Sequence, residues 1–365
     1  MSLAITMTTI NKPTIIEDLI KDLQSHPLDD HLHIIIMGDK KSPKENKLFC
    51  SDIDTFDLDV KIDYYDLADQ ESLFKSRYSN LYNHIPVNSF ARRNYADLLS
   101  LENNYDYTIR IDDDNFPISN QPFISNHISA MNKHKVNVLS SSNNWFNVCE
   151  TLINSNSQNF YPRGFPYEKR WEKNNIKVSK LNNPKIGVNA GLWFGDPDID
   201  AITRLHRPVN VTSFNEKKYG STFILDKNTN CPINTQNTCY RNEILKIGFV
   251  SPFAGRYDDI ICGYVINALR KFHDYETAFG FPILFQKRNK HNLWNDLKNE
   301  LNGNEFIFRL LNLLDEFNEP KTNLIDTYNH LCKSILPELN FAGDYLKKIF
   351  EGMIIWSEEI KQKNL

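Results

Sequence analysis

Apolar positions along this chain fall into two rhythms. Short runs rich in β-branched residues alternate with stretches where apolar side chains return every three or four positions. Residues 3–9 read as a first strand, and Ile15, Ile16, Leu19, Ile20 and Leu23 mark one face of a helix. That helix starts just after Pro13, with Glu17 and Asp18 in its first turn. His31 to Asp39 reads as a second strand ending in Gly-Asp, followed by an irregular acidic stretch to about residue 75. A helix is predicted over 89–101, carrying Arg92 and Arg93, then a strand over 105–111. Further strands fall at 136–140 and 187–194, and a helix at 258–271. From about residue 291 the pattern is almost wholly helical, as in Phe306 to Leu314 and Tyr345 to Ile360.

Strands alternating with helices predict an α/β fold, a mostly parallel sheet covered by helices. Residues 1–290 are expected to form the catalytic domain and 291–365 a helical C-terminal extension packed on it. With 41% hydrophobic and 12% aromatic residues among 365, a sizeable core is possible. A net charge of −4 gives no field that favours nucleic acid or an anionic membrane. The cysteines at 50, 149, 231, 239, 262 and 332 show no metal-ligand spacing and read as reduced, buried thiols of a cytoplasmic protein. No apolar run is long enough for a membrane span. The apolar start, Met1 to Ile10, is broken by Asn11-Lys12-Pro13 and reads as a strand, not a signal peptide.

Four segments carry candidate chemistry. The strand Tyr107 to Ile111 stops abruptly in Asp112-Asp113-Asp114. A strand that ends in clustered acids delivers them to a sheet rim, where open α/β folds bind ligands. Adjacent carboxylates repel, so an oxygen-seeking Mg2+ or Mn2+ carrying nucleotide phosphates is the natural compensation. An ordinary acidic turn is the plainer alternative. Next, the rigid segment Tyr161-Pro-Arg-Gly-Phe-Pro-Tyr-Glu-Lys-Arg170 presents Arg163 and Arg170, whose planar forks suit diphosphate or carboxylate. Gly191-Leu192-Trp193 then offers close backbone approach and a ring to stack on a sugar, although core packing is the usual fate of a tryptophan. Last, Gly255-Arg-Tyr-Asp258-Asp259 precedes a helix. One acid there can cap the helix and the other can serve as general base or clamp sugar hydroxyls.

Taken in order, these segments resemble the reversibly glycosylated polypeptide family of plants, UDP-arabinopyranose mutases of glycosyltransferase family 75. The shared pattern is a strand into Asp112–Asp114, Arg163-Gly-Phe-Pro with Arg170, Gly191-Leu-Trp with Pro197-Asp-Ile-Asp200, and Gly255 to Asp259. Weaker likeness extends to Thr8-Thr-Ile, Gly38-Asp39, Ser89 to Arg92, Gly280-Phe-Pro and the tail around Trp356. The resemblance implies a glycosyltransferase A-type mixed sheet, flanked by helices, that holds a UDP-sugar with Mn2+ or Mg2+. It implies Asp112 and Asp114 as metal ligands, with His291 a candidate third. It further implies Thr8, Asp39, Arg92, Asp112, Asp113, Gly191 and Trp193 at the nucleotide sugar. Arg163 matches the arginine that becomes glycosylated, Arg170 a second arginine needed for activity, and Asp258 or Asp259 would orient Arg163. The implied activity is pyranose–furanose interconversion of a UDP-sugar with reversible self-glycosylation, in polysaccharide or cell-wall biosynthesis, in a homo- or hetero-oligomer. Ala190 and Gln286 stand where the family has histidines, which leaves the sugar open. The alternatives are a conventional glycosyltransferase with Arg163 as a clamp, and a non-catalytic binding subunit of a complex.

Overall fold

The computed structural model describes residues 1–28, 30–156, 159–289 and 292–365. His291 lies outside the described residues. The strands are β1 (Ser2–Thr9), β2 (His31–Gly38), β3 (Val60–Tyr65), β4 (Tyr107–Ile111), β5 (Asn115–Pro117), β6 (Lys135–Ser141), β7 (Leu152–Asn154), β8 (Ile176–Asn182), β9 (Ile186–Gly195), β10 (Val211–Phe214), β11 (Thr222–Leu225), β12 (Asn237–Arg241) and β13 (Glu276–Gln286). Among the described residues they join in one mixed sheet, whose main path runs β3-β2-β1-β4-β12-β9-β13-β11-β6-β8.

Successive strand residues point to opposite faces, and the apolar residues of β1 and β2 are split accordingly. Leu3, Ile5, Met7, Leu32, Ile34 and Ile36 enter one core, with the helices Ile15–Ser25 and Phe123–Met131. Ala4, Ile35 and Met37 enter the other, with the helices Arg93–Glu102 and Asp258–Leu269. The C-terminal helices Leu293–Glu316, Leu324–Ile335 and Asp344–Lys363 cover this second face. Trp356 anchors the last of them, fully buried, with its indole N–H donating to the Lys246 carbonyl at 2.8 Å. No helix among the described residues is long and apolar enough to cross a membrane. All six cysteines are free and buried.

The sheet is more mixed than the sequence pattern suggests. β1 to β4 are parallel, but β12 runs antiparallel between β4 and β9. Its Asn237 and Thr238 are fully buried yet polar, so hydropathy gives no strand signal there. Their side chains are satisfied locally, Thr238 Oγ1 donating to the Asn234 carbonyl at 2.7 Å. The acidic stretch after β2 is also more ordered than expected. It folds as the helix Asn46–Ser51, edge strand β3 and the helix Leu67–Phe74, which begins with a reciprocal Asp66–Asp69 cap.

This topology concentrates chain ends along one rim. The C-terminal ends of β1, β2, β4, β9 and β13 and the N-terminal end of β12 all emerge there.

Candidate active site

A cleft of about 540 Å³ opens along that rim. Its lining runs from Thr8 and Thr9 at the end of β1, through Asp39 after β2 and Asp112–Asp114 after β4, to Gln286 at the end of β13 and Arg288 just beyond it. Arg163, Arg256, Asp258 and Asp259 close the far wall. The acidic turn and the arginine loop, about fifty residues apart in the chain, therefore face one space.

The acidic turn is formed by β4 ending. The Asn115 N–H donates to the Asp112 carbonyl at 3.2 Å, closing a tight loop. Asp112 pairs with the buried Arg93. Burial pushes the Asp112 carboxyl up to about 7, Arg93 opposes that, and the charge of Asp114 adds to it. Asp113 accepts from the Thr9 hydroxyl at 2.6 Å and the Asn11 amide at 3.1 Å. Asp114 is buried and accepts from the Asn115 amide at 2.9 Å. Among the described residues no group of three or more His, Cys, Asp or Glu side chains converges to hold a metal ion. Asp39 accepts the backbone N–H groups of Asn88 and Ser89 at 2.7 and 2.8 Å, so it fixes the loop that carries Arg92. Arg92 Nε donates to Gln70 at 2.7 Å.

The arginine loop is shaped by Gly164, which adopts φ +84°; a Cβ there would meet Ile260 Cγ2 at 2.4 Å. The Arg163 N–H donates to the Asp198 carbonyl at 3.0 Å, which seats the loop. Its guanidinium is then completely engaged. Nε and Nη2 grip Asp198 at 3.0 and 2.9 Å, while Nη1 and Nη2 grip Asp259 at 2.9 and 3.1 Å. Nη1 also donates to the Arg256 carbonyl. A guanidinium has five N–H groups, and here all are used. Burial works against the Arg163 charge, but Asp198 and Asp259 outweigh it and hold the group well above its ordinary pKa. Asp198 is correspondingly held below the usual carboxylate range, because Arg163, with Arg288 and Arg256, overcomes the effect of burial. Asp258, beside this knot, is pushed up to about 8 by burial and by the like charge of Asp259.

Three residues expected at the ligand lie elsewhere. Arg170 does not line the cleft; it stacks on Tyr167 at 3.8 Å, pairs with Asp200 at 2.8 Å and so braces the loop from behind. Trp193 is a buried core side chain of β9. Gly191 allows close strand packing, since a Cβ would meet the Asn237 amide at 2.3 Å and the Pro282 carbonyl at 2.5 Å. Thr8, Asp39, Arg92, Asp112, Asp113, Asp114, Arg163, Asp258 and Asp259 do share the cleft.

Four buried polar atoms on the cleft lining have no hydrogen-bond partner: Arg92 Nη2, Gln236 Oε1, Gln286 Oε1 and Arg288 Nε. Buried polar groups are nearly always paired, and four of the unpaired ones among the described residues belong to this lining. Gln236 and Arg288 escaped the sequence reading. The available signal was position: each sits at the rim end of a strand, Gln236 before β12 and Arg288 after β13.

The sequence model of the family described as "Reversibly glycosylated polypeptide" matches residues 8–364. The chain belongs to that family. UDP-arabinopyranose mutase 3 of Arabidopsis thaliana is 25% identical over 268 residues, 71% of this chain and 68% of the relative. Probable UDP-arabinopyranose mutase 1 of Solanum tuberosum is 25% identical over 269 residues, again 71% and 68%. Among solved structures, glucosyl-3-phosphoglycerate synthase from Mycobacterium tuberculosis, in complex with Mn2+, UDP and glucosyl-3-phosphoglycerate, is 11% identical. It covers 87% of this chain and 81% of its own, with a TM-score of 0.41. TarS 1-349 of S. aureus with UDP-GlcNAc is 10% identical, covering 100% and 92%, with a TM-score of 0.40. Those two overlaps are loose, and nothing about the chemistry of this family member follows from them.

Proposed function

We propose that this family member is an enzyme that interconverts the pyranose and furanose forms of a UDP-sugar, as the names of its relatives suggest. The observation that supports this most is the shared cleft: Asp112–Asp114 and the Arg163 knot line one space, and four of its lining residues carry an unpartnered buried polar atom. Thr8, Asp39 and Arg92 lie at the β1–β2 end and suit the nucleoside. Asp258, Gln236 and Gln286 lie at the other and suit the sugar hydroxyls.

The reaction requires the anomeric carbon–oxygen bond to break with its electron pair leaving on the diphosphate. The 4-hydroxyl oxygen then bonds to the anomeric carbon and gives up its proton. The bond from that carbon to the old ring oxygen breaks as this oxygen takes up a proton, and the same diphosphate returns to the anomeric carbon. Asp258, pushed up to about 8, holds a proton at neutral pH and can exchange it with a sugar hydroxyl. Asp259 cannot do so while both its oxygens accept from Arg163. For a divalent cation, Asp112 and Asp114 offer the right hard oxygen donors. Such ions in nucleotide sites take one or two carboxylates and complete their shell with phosphate oxygens and water. When bound, Mn2+ or Mg2+ would offset the charge of the diphosphate.

One observation favours a modified role for Arg163. With every N–H engaged and the charge held firmly, it has neither a free nitrogen nor an easily lost proton. It serves as the clamp that positions Asp198 and Asp259, and to accept a sugar it would first have to release Asp259. Incubation with UDP-, GDP- and dTDP-sugars plus Mn2+ tests both points by chromatography and intact mass. Pyranose–furanose conversion of a UDP-pentose without a sugar-sized adduct is expected. A stable adduct on Arg163 would contradict the clamp, and binding of UDP with no turnover of any sugar would contradict the enzyme.

A further inference from the structure

Arg163 and Arg256 each have close carboxylate partners, the latter Glu300 at 2.8 Å. Arg288 does not. Its Nε comes no nearer than 3.6 Å to Asp196, and its Nη2 no nearer than 3.6 Å to Asp198, with one long contact to the Pro197 carbonyl at 3.5 Å. Both carboxylates are already committed. Asp196 pairs with Arg204, and Asp198 accepts from Arg163 and from the Asn234 amide at 3.1 Å. Yet the Arg288 side chain is only 7% exposed, and its Nε is without a hydrogen-bond partner. A buried cation with an incomplete fork is expensive to maintain. Burial and the neighbouring charges of Arg204 and Arg256 lower its pKa to about 10, as expected for a cation among cations.

Its position specifies what would complete it. The segment after β13 is tied to the acidic turn, with the Lys287 N–H donating to the Asp114 carbonyl at 3.0 Å. Arg288 therefore lines the cleft beside the carboxylates suited to a cation. A planar fork matches phosphate oxygens two at a time. We infer that Arg288 is the anion-holding residue of the cleft, its guanidinium taking the diphosphate of the nucleotide sugar opposite Asp112 and Asp114; this rests on the nucleotide-sugar reading above.

Calorimetric titration of UDP and of uridine into wild type, Arg288→Gln and Arg288→Lys, with thermal melts of each ligand-free protein, tests it. Wild type should bind UDP more tightly than uridine. Arg288→Gln should lose about tenfold or more in UDP affinity, the scale of one charge-assisted contact, with uridine affinity unchanged. The melting temperature of that variant should not fall, because an under-paired buried charge has been removed. Arg288→Lys should be intermediate, keeping charge without the fork. UDP binding by wild type with undiminished affinity in Arg288→Gln would overturn the inference and leave the reading of the cleft intact. Equal loss of UDP and uridine binding, or a lowered melting temperature, would assign Arg288 a structural role instead. Failure of wild type to bind UDP would overturn the cleft reading and the inference together. Should Arg288→Gln lack a cooperative melt, Arg288→Lys decides, since unchanged UDP affinity there also overturns the inference.

Discussion

The two walls of the cleft meet at Asp198, are built from the same residue types and are partnered in opposite ways. On one, Arg163 is gripped by Asp198 and Asp259 until no donor remains. On the other, Arg288 is buried but incompletely compensated, reaching its acids only at 3.6 Å. A saturated ion pair holds shape, because breaking it strands a buried charge. An unsaturated one has binding capacity in reserve. The contrast separates the scaffold of the site from its contact surface, although arginine and aspartate dominate both.

The largest expected effect comes from breaking the saturated wall. Arg163→Ala should destabilise the protein by about 3–5 kcal/mol, the usual loss when one partner of a buried pair is removed. Arg163→Lys should recover little of this, since an ammonium cannot bridge both carboxylates with a planar fork. Chemical denaturation measures both, and a loss within experimental error for Arg163→Ala would mean the knot is not structural.

Next in size is the open wall. Asp112→Asn should weaken UDP binding in the presence of Mn2+ by about tenfold or more, with uridine binding unchanged. Wild-type UDP affinity that is the same with and without Mn2+ would remove the cation from the account.

A smaller, signed effect concerns Asp258. Its carboxyl lies at about 8 in the fold, against about 3.9 in an unfolded chain. Raised in this way, it contributes stability that is full below about pH 4 and lost as pH climbs through about 8. The stability of wild type relative to Asp258→Asn should therefore decline over that range. A difference that is flat with pH would show that Asp258 titrates normally. The smallest effect is expected at Trp193, whose side chain is packed in the core away from the cleft. Trp193→Phe should leave UDP affinity within about twofold, well under the 1.4 kcal/mol of a tenfold change. A larger loss by titration would return Trp193 to the sugar site.

Sequence made one half of this contrast visible and hid the other. Asp112–Asp114 announced themselves because an apolar strand stops there, and Arg163 because prolines and a glycine fix its loop. The buried destination of Trp193, the bracing role of Arg170 and the total engagement of Arg163 depend on partners thirty or more residues away. Spacing cannot reveal those. Arg288 was hardest to see: in sequence it is one basic residue after an apolar run, and only its incomplete partnering in the fold distinguishes it. β12 was missed for a related reason, its buried Asn237 and Thr238 being paired with backbone carbonyls inside the fold.

A crystal structure of the protein with UDP and Mn2+ tests the division of labour most directly. Phosphate oxygens should lie about 3 Å from the Arg288 guanidinium, with the ion on Asp112 and Asp114 and Arg163 still bound to Asp198 and Asp259. A diphosphate seated away from Arg288, or an Arg163 released from both carboxylates to meet it, would contradict the account.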